Sequence, residues 1–208
     1  MKDPKVYIVI LNWNGWKDTI ECLESVFRND YTNYQVIVCD NASEDGSLKH
    51  IAAWATGGLD VYVPPEAFLR YSSFPPGHKP IPSVQYDRQE AEAGGKPGND
   101  NVQLLLIQTG TNLGFASGNN VGLRYALARD DFEYVWLLNN DTVIRPDALS
   151  KLIIRIKENP KIGMCGSTLL YYHDPRLIQA AGGGHYNKWL GTTRHLAAFK
   201  SLDETVDD

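Results

Sequence analysis

The chain has 208 residues, 43% of them hydrophobic, which is enough to bury one sizeable core and predicts one soluble α/β domain with room for an appendage. A formal charge of -5 argues against a general nucleic-acid binder, which needs a basic face to neutralise phosphates, so any phosphate site must be local. Cys22, Cys39 and Cys165 form no C-x-x-C pair and sit in apolar stretches, the pattern of buried thiols in a reducing compartment rather than of a disulfide framework.

The chain opens on Val6 to Leu11, a continuous apolar, β-branched run of the kind seen in a parallel strand covered on both faces. At six residues it is too short for a signal-peptide core or a membrane span, and no later run is longer. It ends at Asn12-Trp13-Asn14-Gly15, and a helical stripe of Ile20, Leu23, Val26 and Phe27 follows. Gln35 to Cys39 repeats the strand signature and Asp40-Asn41-Ala42-Ser43 the polar turn. Ser43 reads as the N-cap of a helix carrying Leu48, Ile51, Ala52 and Ala55.

Residues 57 to 101 hold seven of the eleven prolines and six of the eighteen glycines, and they read as an insertion that interrupts the alternation. Tyr62, Phe68, Tyr71, Phe74 and Tyr86 give it apolar surface with which to pack on the body. A third strand, Val102 to Ile107, leads into Asn112-Leu113-Gly114-Phe115-Ala116 and a helix with Val121, Tyr125 and Ala128. A fourth, Tyr134 to Leu138, leads to Asn139-Asn140-Asp141, then to a helix opened by Pro146, striped by Leu149, Leu152, Ile153 and Ile156, and stopped by Pro160. Four strand-helix alternations predict a right-handed, mostly parallel sheet with helices on both faces. An acidic tail, residues 201 to 208, closes a single domain spanning 1 to 208.

In such a sheet, ligands bind beyond the carboxyl ends of the strands, where the turns converge and helix N-termini present free N–H groups. All four polar turns fall at that edge, and they are rich in donors and acceptors but poor in charge. No G-x-G-x-x-G follows the first strand, so a dinucleotide-binding oxidoreductase is a poor fit. The five histidines show no metal-ligand spacing. Taken alone, Asp40 suits an Asx turn or helix cap as well as a ligand contact, and Trp13 suits core filling.

The segments VYIVILNWNGWKDTIECLESV, VIVCDNASEDGS, TNLGFASGNNVGL and VWLLNNDTVIRPDAL, in that order, resemble glycosyltransferase family 2, in particular its rhamnosyltransferase-like branch. The resemblance implies a GT-A fold that binds a nucleoside-diphosphate sugar with Mg²⁺ or Mn²⁺ and transfers the sugar with inversion. On that basis Asp40 matches the carboxylate that accepts a pyrimidine N3–H, which favours a UDP- or dTDP-sugar, and Asn12 and Trp13 line the base pocket. Gly114, Ala116, Gly118 and Asn119 match the loop beside ribose and phosphates, and Asn140 belongs with the donor contacts. Asp141 and Asn139 occupy the metal motif, usually Asp-x-Asp, so that Asn139 departs from the pattern. Ala181 through Gly184 to Arg194 resembles a glycine-containing segment near the donor sugar.

The family's catalytic base comes from a later half, so the resemblance places it beyond Asp208 and implies a truncated chain. Asp203, Glu204, Asp207 and Asp208 read as a solvated tail. The implied acceptor is a saccharide or lipid-linked saccharide in cell-surface polysaccharide assembly. The implied setting is the cytoplasm, with peripheral association of the full protein at the inner face of the membrane. A module that holds the sugar nucleotide without transferring it is the alternative reading.

Overall fold

A computed structural model describes residues 3–99 and 102–202; Asp203, Glu204, Asp207 and Asp208 lie outside them. All four expected strands form: β1 (Val6–Asn12), β2 (Tyr34–Asp40), β4 (Leu104–Gln108) and β5 (Tyr134–Asn139). With a fifth strand, β3 (Ser83–Asp87), they form one parallel sheet of order β3-β4-β2-β1-β5. Alternate residues of the same strands feed two cores. Val6, Ile8, Ile10, Val36 and Val38 pack under α1 (Trp16–Val26), α2 (Ser47–Ala55) and α5 (Ala148–Lys157). Tyr7, Val9, Ile37 and Cys39 pack under α3 (Arg88–Glu92) and α4 (Gly114–Arg129). With both faces covered, β1, β2 and β4 can be apolar throughout, which is why they read as unbroken hydrophobic runs, whereas the outer strand β5 is apolar but only partly buried.

The fifth strand corrects the reading of residues 57 to 101 as a simple interruption. Within them β3 (Ser83–Asp87) pairs in parallel with β4, and α3 follows it behind a reciprocal capping box between Asp87 and Glu90. As a sheet edge, β3 buries only Tyr86 fully, and its polar alternation hides it from a search for apolar runs. The proline-rich part ahead of it is pinned to the body. Val61, Val63 and Ile81 enter the core. The Glu24 carboxylate of α1, 1% exposed, accepts from Trp54 Nε1 at 2.7 Å, Lys79 Nζ at 2.8 Å and Gly77 N at 2.7 Å.

Two further readings change. The N-cap of α2 is Gly46, at φ 75°, because Ser43 is engaged with Asp40 instead. The glycine-rich stretch after α5 forms two antiparallel hairpins, β6 (Thr168–Tyr171) with β7 (Asp174–Ala181), and β8 (Gly184–Asn187) with β9 (Thr192–His195). Cys22 and Cys39 are buried and Cys165 is partly exposed, all three as free thiols. Among the described residues no helix is long and apolar enough to cross a membrane.

Candidate functional site

The strand register brings the polar turns together. Asn12 is the Cα partner of Asp40, Asp40 of Gln108, and Leu11 of Asn139. At the centre is Asp40, 1% exposed. Its Oδ1 accepts from Asn12 Nδ2 at 2.7 Å and from Ser43 Oγ at 2.6 Å, while its Oδ2 accepts from Ser43 N at 3.1 Å and Gln108 Nε2 at 3.2 Å. All four donors are neutral. The Asx-turn role is therefore real, and it holds a carboxylate at the sheet edge.

From Asp40 the network runs both ways along that edge. Thr19 Oγ1 donates to Asn12 Oδ1 at 2.8 Å, and Asn140 Nδ2 donates to Thr19 Oγ1 at 3.1 Å, joining the turn after β5 to the turn after β1. A side chain at Gly15 would put its Cβ 2.9 Å from Asn140 Nδ2, so a glycine is what allows these turns to meet. Asn14 completes the link from β1 to β2: its N donates to Ser43 Oγ at 2.9 Å and its Oδ1 accepts from Glu44 N at 2.8 Å. On the other side, Asn41 Nδ2 donates to Asn112 Oδ1 and Leu113 N donates to Asn41 Oδ1, both at 2.9 Å, tying β2 to the loop before α4. Ala42, in the central turn, is held at φ 59°, a conformation a non-glycine residue adopts only under constraint.

The predicted residues divide into supports and open positions. Asn12, Asp40, Asn119 and Asn140 are turned into the protein; Asn119 is buried and donates from Nδ2 to Phe115 O at 2.9 Å. Trp13 is 58% exposed, so it does not fill the core. Gly114, at φ 72° with open space over its Cα, and Ala116 line the exposed start of α4. The tight approach at Gly118 is to the sheet, since a Cβ there would lie 2.5 Å from Leu11 Cδ1. Asn139 and Asp141 are both exposed at the end of β5. Burial, and then the charge of Asp141, push the Cys22 thiol well above the usual range beneath this turn.

Among the described residues no three His, Cys, Asp or Glu side chains are grouped to hold a metal by themselves. Asp141 and Asn139 offer one carboxylate and one amide oxygen, hard donors that suit a cation drawing its other ligands from water and an anionic substrate. Sequence reasoning missed Thr19, Ser43 and Gln108. Thr19 and Gln108 lie apart from the turns in sequence and join the network only through α1 and the β2–β4 register.

Comparison with known proteins gives a consistent result. The family model described as Glycosyl transferase family 2 matches residues 7–67 and 87–204. Over 46 residues the chain is 37% identical to the putative glycosyltransferase EpsE of Bacillus subtilis (strain 168), an alignment covering 22% of this chain and 16% of that one. The mannosyltransferase PcManGT from Pyrobaculum calidifontis, solved in complex with GDP-Man and Mn²⁺, matches with a TM-score of 0.53 at 18% identity, over 82% of this chain and 37% of that one. This likeness shows the fold, a GT-A sheet. S. aureus TarS 1-349 in complex with UDP-GlcNAc matches with a TM-score of 0.44 at 18% identity, over 74% and 31% of the two chains. The chain thus spans about a third of the length of these solved structures and 16% of the curated relative.

Proposed function

The chain belongs to glycosyl transferase family 2, and from that membership we propose that it binds a UDP- or dTDP-sugar at the carboxyl edge of its sheet for transfer, with inversion, to a saccharide or lipid-linked saccharide. The observation that carries this reading is Asp40, a carboxylate held at that edge by neutral donors alone. A pyrimidine imide N3–H is the complementary donor, and the exposed Trp13 beside it offers a face on which the base stacks.

The diphosphate belongs on the other side of β1. Strand order runs from β1 through β2 and β4 in one direction and to β5 in the other, and the crevice at such a reversal is where open α/β sheets bind ligands. Asp141 and Asn139 stand at that crevice and would hold Mg²⁺ or Mn²⁺; the ion would offset negative charge growing on the leaving diphosphate. Asn12, Thr19 and Asn140 keep the turns on either side of the crevice in a fixed relation. Gly114 and Ala116 leave the start of α4 open to the ribose and phosphates. The rhamnosyltransferase-like assignment and a cytoplasmic setting at the membrane's inner face remain part of this proposal.

Calorimetry with UDP, dTDP and uridine tests it. UDP binding is expected to weaken on addition of EDTA. Asp141→Ala should weaken UDP while sparing uridine. Asp40→Asn, which turns one acceptor oxygen into a donor, should weaken UDP and uridine by the same factor, about 10- to 100-fold for a hydrogen bond to a charged group. A folded chain indifferent to both diphosphates would remove the central claim.

A further inference from the structure

Asp40 has no vacant acceptor site. An ionised carboxyl offers about four lone-pair positions, and Asn12, Ser43 Oγ, Ser43 N and Gln108 occupy that number. A base N–H can reach the carboxylate only by displacing one of these donors, and three of them are fixed. Asn12 is fully buried with its own Oδ1 tied by Thr19. Ser43 N is backbone in the turn. Ser43 Oγ makes the shortest of the four bonds and is itself held by Asn14 N.

Gln108 differs from the other three. It is the last residue of β4, half-buried, on a long flexible stem, and its bond to Oδ2 is the longest of the four at 3.2 Å. Apart from that bond, its amide is held through Oε1 by Gly110 N at 3.1 Å, in an exposed loop. Oδ2 is therefore the oxygen a ligand can claim, and Gln108 is the donor that yields. The parallel register keeps Gln108 directly beside Asp40, since neighbouring strands run about 4.8 Å apart. An amide displaced from Oδ2 thus stays within reach of the atom adjacent to whatever replaces it.

In uracil and thymine, N3–H is flanked by two carbonyls. We propose that Gln108 is a specificity-determining residue: Asp40 Oδ2 accepts N3–H while Gln108 Nε2 donates to a carbonyl next to it. The pair then reads donor and acceptor together. Cytosine and adenine present a ring acceptor where the carboxylate needs a donor. This inference rests on the reading of Asp40 as the base contact.

The test measures the affinity of the chain, with and without Gln108→Ala, for UDP, 2-thio-UDP, 4-thio-UDP and CDP. A thiocarbonyl is a weaker acceptor than a carbonyl. The unsubstituted chain should prefer UDP to CDP and should bind one of the two thio analogues about 3- to 10-fold more weakly than UDP, the ordinary net effect of one neutral hydrogen bond. Gln108→Ala should bind UDP more weakly by a similar factor and should no longer distinguish UDP from either thio analogue. Retained discrimination between carbonyl and thiocarbonyl in Gln108→Ala overturns the inference. So does an equal loss for all four nucleotides, which would mean that Gln108 only steadies Asp40. Equal binding of UDP and CDP by the unsubstituted chain would instead overturn the reading of Asp40.

Discussion

Cys22 and Cys39 lie under opposite faces of the sheet, where burial disfavours ionisation of both thiols. Burial pushes Cys39 up to about 12 from an ordinary value of 9.0, raises Cys22 further, and pushes the Tyr34 phenol up to about 12 from 10.0. Each of these groups holds its proton more tightly when folded, so the unfolded chain ionises first. Their contribution to stability is complete below pH 9 and falls as pH rises from 9 towards 12. Urea unfolding should accordingly give a lower midpoint with each step of pH above 9, with little change between neutrality and that value. A thiol reagent at mild pH should modify the partly exposed Cys165 and leave Cys22 and Cys39 until the chain unfolds. Rapid labelling of all three in the native state would contradict the packing described for α1 and β2.

At the level of elements, α4 is held close to the sheet by two glycines one turn apart. A Cβ at Gly122 would lie 2.8 Å from Val9 Cγ1 and 3.0 Å from Cys39 Sγ, both fully buried. One at Gly118 would meet Leu11 Cδ1 at 2.5 Å, the closer distance, but that atom is the end of a partly exposed and rotatable side chain. What the neighbour can do therefore matters more than the distance. Overpacking costs about 1–3 kcal/mol, and alanine returns up to about 1 kcal/mol in helix propensity. Gly122→Ala should destabilise the chain by about 1–2 kcal/mol in urea unfolding, because Val9 is stiff at χ1 and has nowhere to go, whereas Gly118→Ala should be close to neutral. Equal losses at the two positions would show that the rigidity of the neighbour is not what decides.

For the molecule as a whole, one buried carboxylate adds a polar anchor for residues 57 to 82 to the apolar contacts of Val61, Val63 and Ile81. Glu24 holds Trp54 of α2 together with Gly77 and Lys79 of the inserted segment, and Lys79 also sits 4.1 Å from the centre of the Trp54 ring. Arg28 adds a hydrogen bond to the Pro75 carbonyl. Removing one partner of a buried ion pair typically costs about 3–5 kcal/mol. Lys79 is 13% exposed and can recover some hydration, so Glu24→Ala should fall near the lower end of that range. Limited proteolysis of this variant should cut first between residues 57 and 82. If its unfolding midpoint and cleavage pattern match those of the unsubstituted chain, the segment is held by its apolar residues and its other hydrogen bonds, without Glu24.

The main sheet was legible in the sequence because β1, β2 and β4 are covered on both faces, which demands continuous apolar runs, and because the outer strand β5 keeps an apolar run although Leu137 is half-exposed; all four end in polar turns at one edge. The identity of those turns, and so the region of the candidate site, followed from chain order alone. Edge strand β3 was not legible, because its solvent-facing residues are polar and leave no apolar run, and neither were the hairpins of β6 to β9, since β8 and β9 are wholly exposed and β6 and β7 bury only Ile178 and Ala180. Nor could the sequence show which asparagines face a ligand and which brace the turns: Asn139 and Asn140 are adjacent and identical, yet one is exposed and the other points back to Thr19. Gln108 reaches Asp40 across 68 residues of chain through strand register alone. Local sequence determines which segments can serve as inner strands, because burial on both faces requires a continuous apolar run. Only the tertiary structure decides which polar groups meet, because hydrogen bonds depend on register and direction that no single segment contains.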